Sequence, residues 1–247
     1  MSGAMKKHLL IFAFMVFPVA GFAAGGSDIH LDKVHIELSN KSSLQRGAST
    51  FVNFCLSCHS ASFMRYNRMA KDLDISEELL EENLIFGEAK VGDLMITTMP
   101  EETAKDWFGV APPDLSLVAR SRGPDWLYTY LRSFYLDESS PGGWNNCVFP
   151  HVAMPHALYE WQGSQRLKDG DCKPHEEGES PFEIVIPGKL TPAEYDVAMG
   201  DLTNFLVYLA EPAKMVRYKM GFWIILLLAV LSVLTYMLKK EYWRDLH

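Results

Sequence analysis

The stretch FVNFCLSCHS, Phe51–Ser60, sets two cysteines and a histidine together as Cys55-Leu56-Ser57-Cys58-His59. Three chemistries use such a cluster: a redox dithiol, half of a zinc site, and the anchor of a covalent haem. A thioredoxin-like dithiol belongs at a strand end in an alternating strand and helix pattern. Here Leu44, Ala48, Phe51, Val52 and Cys55 recur at helical spacing instead, with Ser42 or Ser43 available as a cap. A zinc site needs two more ligands, and the remaining cysteines, Cys147 and Cys172, are isolated singles. Haem attachment accounts for the whole motif. Two thiols at this spacing add to the vinyl groups of one haem, and the next residue presents an imidazole to the iron.

Outward from the motif, both ends of the chain carry signals. In a chain of 247 residues, 48% of them hydrophobic and 22% charged, there is room for one ordinary domain plus extra segments. Lys6 and Lys7 precede the apolar run HLLIFAFMVFPVAGFAA, and small residues follow at Ala23, Ala24 and Gly25. That is the order of a secretory signal peptide, expected over residues 1–24; Pro18 and Gly21 interrupt a run already short for a membrane span. Near the other end, GFWIILLLAVLSVLTYML, Gly221–Leu238, has no charged residue. At about 1.5 Å per residue it covers roughly 27 Å, close to the hydrocarbon core of a bilayer. Tyr218, Trp223, Tyr236, Tyr242 and Trp243 stand where interfacial aromatics would anchor it. The expected organisation is an exported domain over 25–213, a transmembrane anchor with its flanks over 214–240, and a cytoplasmic tail over 241–247. Basic residues lie on both sides of the span, so this orientation rests mainly on the signal peptide.

The formal charge of −8 is unevenly spread. Lys6 and Lys7 are positive, and residues 214–247 hold six basic and two acidic groups, which leaves −14 on residues 8–213. So acidic a domain does not suit a phosphate backbone, and nucleic-acid binding is set aside. The acidity serves solubility or attracts a basic partner.

An electron-transfer haem usually needs a second axial ligand, and a thioether favours the reduced metal. The candidates are Met64, Met69, Met95, Met99, Met154 and Met199, with His151 and His156 as nitrogen alternatives. Met64 and Met69 follow His59 too closely to reach the opposite haem face easily, and Met199 falls in a helical pattern. Met99 and Met154 each precede a proline, which keeps them out of helical geometry and suits a ligand loop. Pattern leaves both open.

Several segments taken together resemble the cytochrome c1 family. They are CLSCHS, APPDLSLVARSRG, DWLYTYLRSFY, PGGWNNCVFPHVAMPHAL and the C-terminal anchor, which cover most of the exported part of the chain. The resemblance implies an all-α, class I cytochrome c-like haem domain with long loops, plus one C-terminal transmembrane helix. It implies one haem c on Cys55 and Cys58, with His59 and Met154 as the axial pair. A carbonyl of Pro112 or Pro113 would take the other imidazole proton, and Arg122, or else Arg120, would pair with a haem propionate. Trp126 stands where the family has a tyrosine. Cys147 and Cys172 are expected to form a disulfide bracing the Met154 loop, as in some members of the family. The implied function is an electron-transfer subunit of a quinol–cytochrome c reductase. Its implied partners are cytochrome b, a Rieske iron–sulfur donor and a soluble or membrane cytochrome c acceptor, in a dimeric complex of the bacterial inner membrane with the haem domain in the periplasm. An independent membrane-anchored cytochrome shuttle is the alternative, and a haem-delivery or thiol-redox protein a third reading.

Periodicity adds further expectations. ISEELLEENLIF reads as a helix with Glu77 and Glu78 in its first turn, and GPDWLYTYLRSFYL as one opened by Pro124 with an apolar stripe at Leu127, Tyr130, Leu131 and Phe134. Thr191 and Glu194 read as a capping box for a helix stopped by Pro212. The resemblance has that helix cross the one before Cys55 at Gly47 and Phe51. WQGSQRLKDGDCKPHEEGESPFE reads as a surface loop.

Overall fold

The computed structural model describes residues 30–172 and 179–244; the expected signal peptide lies outside them. In chain order, α1 (Lys41–Thr50) continues into a wider π turn (Phe51–Cys55), then β1 (Ala61–Arg65), α2 (Tyr66–Leu73), α3 (Glu77–Asn83), β2 (Leu94–Met95) and α4 (Glu101–Phe108). They are followed by α5 (Val118–Arg122), α6 (Pro124–Arg132), β3 (Phe134–Leu136), β4 (Trp144–Asn146), α7 (Tyr159–Gln162), β5 (Gly163–Leu167), β6 (Phe182–Pro187), α8 (Pro192–Ala210) and α9 (Lys214–Tyr242).

The core forms where α1 crosses α8. A Cβ on Gly47 would lie 2.2 Å from Asp201 O and 2.6 Å from Phe205 Cβ, so only glycine permits this approach. One turn on, Phe51 and Phe205 meet with ring centroids 5.6 Å apart. Around them Leu44, Met69, Leu73, Met199 and Leu202 are buried. Arg46 closes the crossing with two hydrogen bonds to Asp201, at 2.6 and 3.0 Å. The expected capping box at Thr191 and Glu194 is present. Asn40, rather than Ser42 or Ser43, caps α1, its side-chain oxygen accepting from Ser43 N at 3.1 Å. α6 starts at Pro124 and buries Leu127 and Leu131, and Tyr195 packs against it, donating to Leu131 O at 2.9 Å. The backbone leaves the helix at Ser133, so Phe134 opens β3 instead of ending the stripe.

The all-α expectation is corrected by three two-stranded antiparallel ribbons, β1 with β2, β3 with β4 and β5 with β6. The segment read as a surface loop contains β5 and the start of β6. Its Gly, Ser and Pro content masked a pairing between Gly163–Leu167 and the β-branched run around Ile184 and Ile186. Gly163, at φ +88°, lies against this pairing so closely that a Cβ would be 2.2 Å from Ile186 O. The helices still form the main core, and the ribbons frame the loops. After Pro212, Val216–Tyr242 within α9 is long and apolar enough to cross a membrane, its most apolar 18-residue stretch having a mean hydropathy of 2.4.

Candidate functional site

The motif stands at the end of a helix that loosens before it stops. Leu56 N bonds to Phe51 O at 3.0 Å, five residues back, and Cys55 O then accepts from Cys58 N at 3.0 Å and from His59 N at 2.8 Å. One carbonyl thus ties the motif into a tight turn. The two thiols are free and half-buried. Burial, with Cys58 adding to it, pushes the Cys55 thiol up to about 12. A redox dithiol needs the opposite shift.

His59 is buried, with Nδ1 2.8 Å from Pro113 O. A carbonyl oxygen only accepts, so Nδ1 carries the proton and Nε2 keeps its lone pair for a metal. Burial lowers the His59 pKa, outweighing the opposing effects of Pro113 and Asp114, so the imidazole is held neutral. Pro113 is fixed by its neighbours. Asp114 accepts from Ser62 N at 2.9 Å, Ser62 Oγ at 2.6 Å and Ser116 N at 2.8 Å, while Leu115 N donates to Ser60 O at 2.8 Å. Thr97 Oγ1 donates to Ser57 O at 2.7 Å. An open pocket beside this lattice is lined by Cys58, Ser60, Met99, Pro112 and Pro113 among others.

A second cluster grows from α5 and α6. Gly123, at φ +89°, turns the chain between the two helices. Arg122 lies over the Trp126 ring at 5.1 Å, and Trp126 stacks on Tyr130 with centroids 5.0 Å apart and planes 8° apart. Tyr130 donates its phenolic proton to Met154 Sδ at 3.3 Å. Burial raises the Tyr130 pKa, which keeps the phenol a donor. Arg120 is exposed and makes no ring contact or ion pair among the described residues.

The Met154 loop is tied by two buried asparagines. Asn145 Oδ1 accepts from His151 N at 2.8 Å, and Asn146 Oδ1 accepts from Val148 N at 2.9 Å and Phe149 N at 3.1 Å. Cys147 and Cys172 are joined by a disulfide, with Cα atoms 5.5 Å apart. His156, considered above as a nitrogen ligand, instead stacks on Phe134 at 4.9 Å and meets the Trp144 ring at 5.0 Å. Burial pushes it down to about 4. Met64, Met69, Met95 and Met199 are core residues, which leaves Met99 and Met154 half-buried.

Tyr130 is the participant that sequence reading missed as a polar group. The available signal was its position four residues after Trp126, on one face of α6. The donor set fits a covalently held haem: two free thiols, a neutral imidazole with its outer nitrogen already engaged, and a thioether outside the core.

The model of the Cytochrome C1 family matches residues 33–177 and 189–246. The chain is 48% identical to a cytochrome c1 of Allochromatium vinosum, over 98% of this chain and all of the relative. It is 47% identical to a Nitrosomonas europaea protein named ammonia monooxygenase gamma subunit, over 98% of this chain and 99% of the relative. A Bradyrhizobium diazoefficiens protein named cytochrome b/c1 is 25% identical, over 84% of this chain and 34% of its own length. The chain therefore belongs to the cytochrome c1 family, as a haem c-bearing electron-transfer subunit of the bc1 complex.

Proposed function

We propose that this chain carries its haem c on Cys55 and Cys58, with His59 and Met154 as axial ligands, and passes electrons from a Rieske iron–sulfur protein to a cytochrome c. The single observation that carries the assignment of the site is the 2.8 Å contact between His59 Nδ1 and Pro113 O, which presents Nε2 as a neutral ligand next to two free thiols. When bound, the haem supplies one-electron exchange between ferric and ferrous iron.

The protein groups set the conditions for that exchange. Pro113 holds the imidazole plane and makes it a better donor. Met154 contributes soft sulfur, which favours the reduced state. Met99 is disfavoured because it lines a pocket together with Pro113, the residue whose carbonyl already engages His59. Met154 lies instead in the separate cluster with Tyr130 and Trp126, where its sulfur would be free to hold the haem iron. Both arginines are exposed, and Arg122, packed over Trp126, is preferred to Arg120 as a propionate partner.

α9 anchors the chain in the bacterial inner membrane, with the haem domain in the periplasm and the C-terminus in the cytoplasm. Cytochrome b is its membrane neighbour in a dimeric complex. Support comes from the name of the Bradyrhizobium relative, which joins b and c1 and leaves most of that protein unmatched by this chain.

Purification in mild detergent tests this reading. The chain is expected to emerge with a cytochrome b and an iron–sulfur protein, and quinol should reduce its haem. Isolation of the chain alone, with haem that quinol does not reduce, would favour an independent shuttle.

A further inference from the structure

We propose that Tyr130 is a positioning residue for the sulfur of Met154: its hydroxyl holds the thioether and sets how strongly that sulfur donates to the iron. The inference rests on the reading of Met154 as the axial ligand. A thioether sulfur has two lone pairs. The 3.3 Å hydrogen bond from Tyr130 takes one and leaves the other for a metal.

Tyr130 is well placed for this work because its ring has little freedom. One face stacks on Trp126 at 5.0 Å, and Phe134 meets the ring edge to face at 5.1 Å. Arg122 covers Trp126 in turn. The backbone of the same residue reaches the ligand loop a second time, since Tyr130 O accepts from Asn146 Nδ2 at 2.8 Å. Asn146 in turn receives the backbone N–H groups of Val148 and Phe149. Tyr130 therefore fixes the base of the loop through its carbonyl and the ligand atom through its hydroxyl.

The electronic consequence has a definite sign. A proton shared with one sulfur lone pair makes the other a poorer donor. Ferric iron depends on that donation more than ferrous iron does, so the hydrogen bond raises the reduction potential. Tyr130→Phe removes the hydroxyl and keeps the ring that Trp126 and Phe134 pack against.

The test compares Tyr130→Phe with Met154→Leu in the purified complex, reading the sulfur-to-iron absorption band and the midpoint potential of the haem c. The expected result is that Met154→Leu loses the band, whereas Tyr130→Phe keeps it, displaced in wavelength, with the midpoint potential shifted below the wild-type value. If Met154→Leu loses the band and Tyr130→Phe matches wild type in both band position and potential, Tyr130 only packs and the proposal is overturned. If Met154→Leu retains the band, the axial assignment fails and takes the proposal with it.

Discussion

His59 Nδ1 lies 2.8 Å from Pro113 O, and the next residue, Asp114, is bound to Ser62 and Ser116 on either side. The imidazole is thus oriented by a carbonyl whose own position depends on a carboxylate. Burial acts to raise the Asp114 pKa, and hydrogen bonds from Ser116 and Ser62 outweigh it, leaving the group below the usual carboxylate range. A lowered folded-state pKa means stability that is fully present above the unfolded value of about 3.9 and is lost as pH falls through the folded value. The haem domain of Asp114→Asn should be less stable than wild type by a constant margin from neutral pH down to about 5, and the margin should shrink below about 4. Denaturant titrations across that range check this; a margin that widens in acid would contradict it.

Gly47 supplies a stability test of the helix crossing. In an exposed helix, alanine would be better than glycine by about 1 kcal/mol. Here the added methyl meets backbone at Asp201 and the Cβ of Phe205, neither of which can rotate away. Gly47→Ala should therefore destabilise by about 1–3 kcal/mol, the range for overpacking a close contact. Its unfolding midpoint, followed by haem absorbance, should fall. A rise would mean that the crossing is looser than described.

Some of this was legible in the sequence because local chemistry decided it. The turn through Cys55, Cys58 and His59, the capping box at Thr191 and the Pro124 start of α6 are each specified within a few residues. What escaped was decided by distant partners. Gln165 lies opposite Ile184 in β5 and β6, and no composition rule within either segment announces the other. Tyr130 looked like one more residue of an apolar stripe, because nothing local shows that Met154, 24 residues later, comes within reach of its hydroxyl. The choice between Met99 and Met154 was likewise closed to pattern, since each is a methionine before a proline.

The disulfide between Cys147 and Cys172 closes a loop of 25 residues in sequence separation, and that loop contains Met154. Restricting the unfolded chain to this extent is worth about 3 kcal/mol. The double variant Cys147→Ala, Cys172→Ala should lose its sulfur-to-iron band at a lower temperature than wild type while keeping covalent haem. Equal thermal profiles would show that the asparagine contacts alone hold the loop.

With −14 on residues 8–213, the exterior should attract a basic electron acceptor. At physiological ionic strength screening acts over roughly 8 Å, so steering weakens as salt is added. The second-order rate of electron transfer from the reduced complex to a basic soluble cytochrome should fall across a salt series. A rate that is flat or that rises from low salt upward would remove steering as the reason for the acidity.

The most direct measurement asks whether haem stays on the polypeptide when the fold is gone. Wild-type chain and the Cys55→Ala, Cys58→Ala variant would be denatured, extracted with acid acetone and weighed by intact-mass spectrometry. One haem should be retained on the wild-type chain and none on the variant. Release of the haem from the wild-type chain would contradict attachment through Cys55 and Cys58.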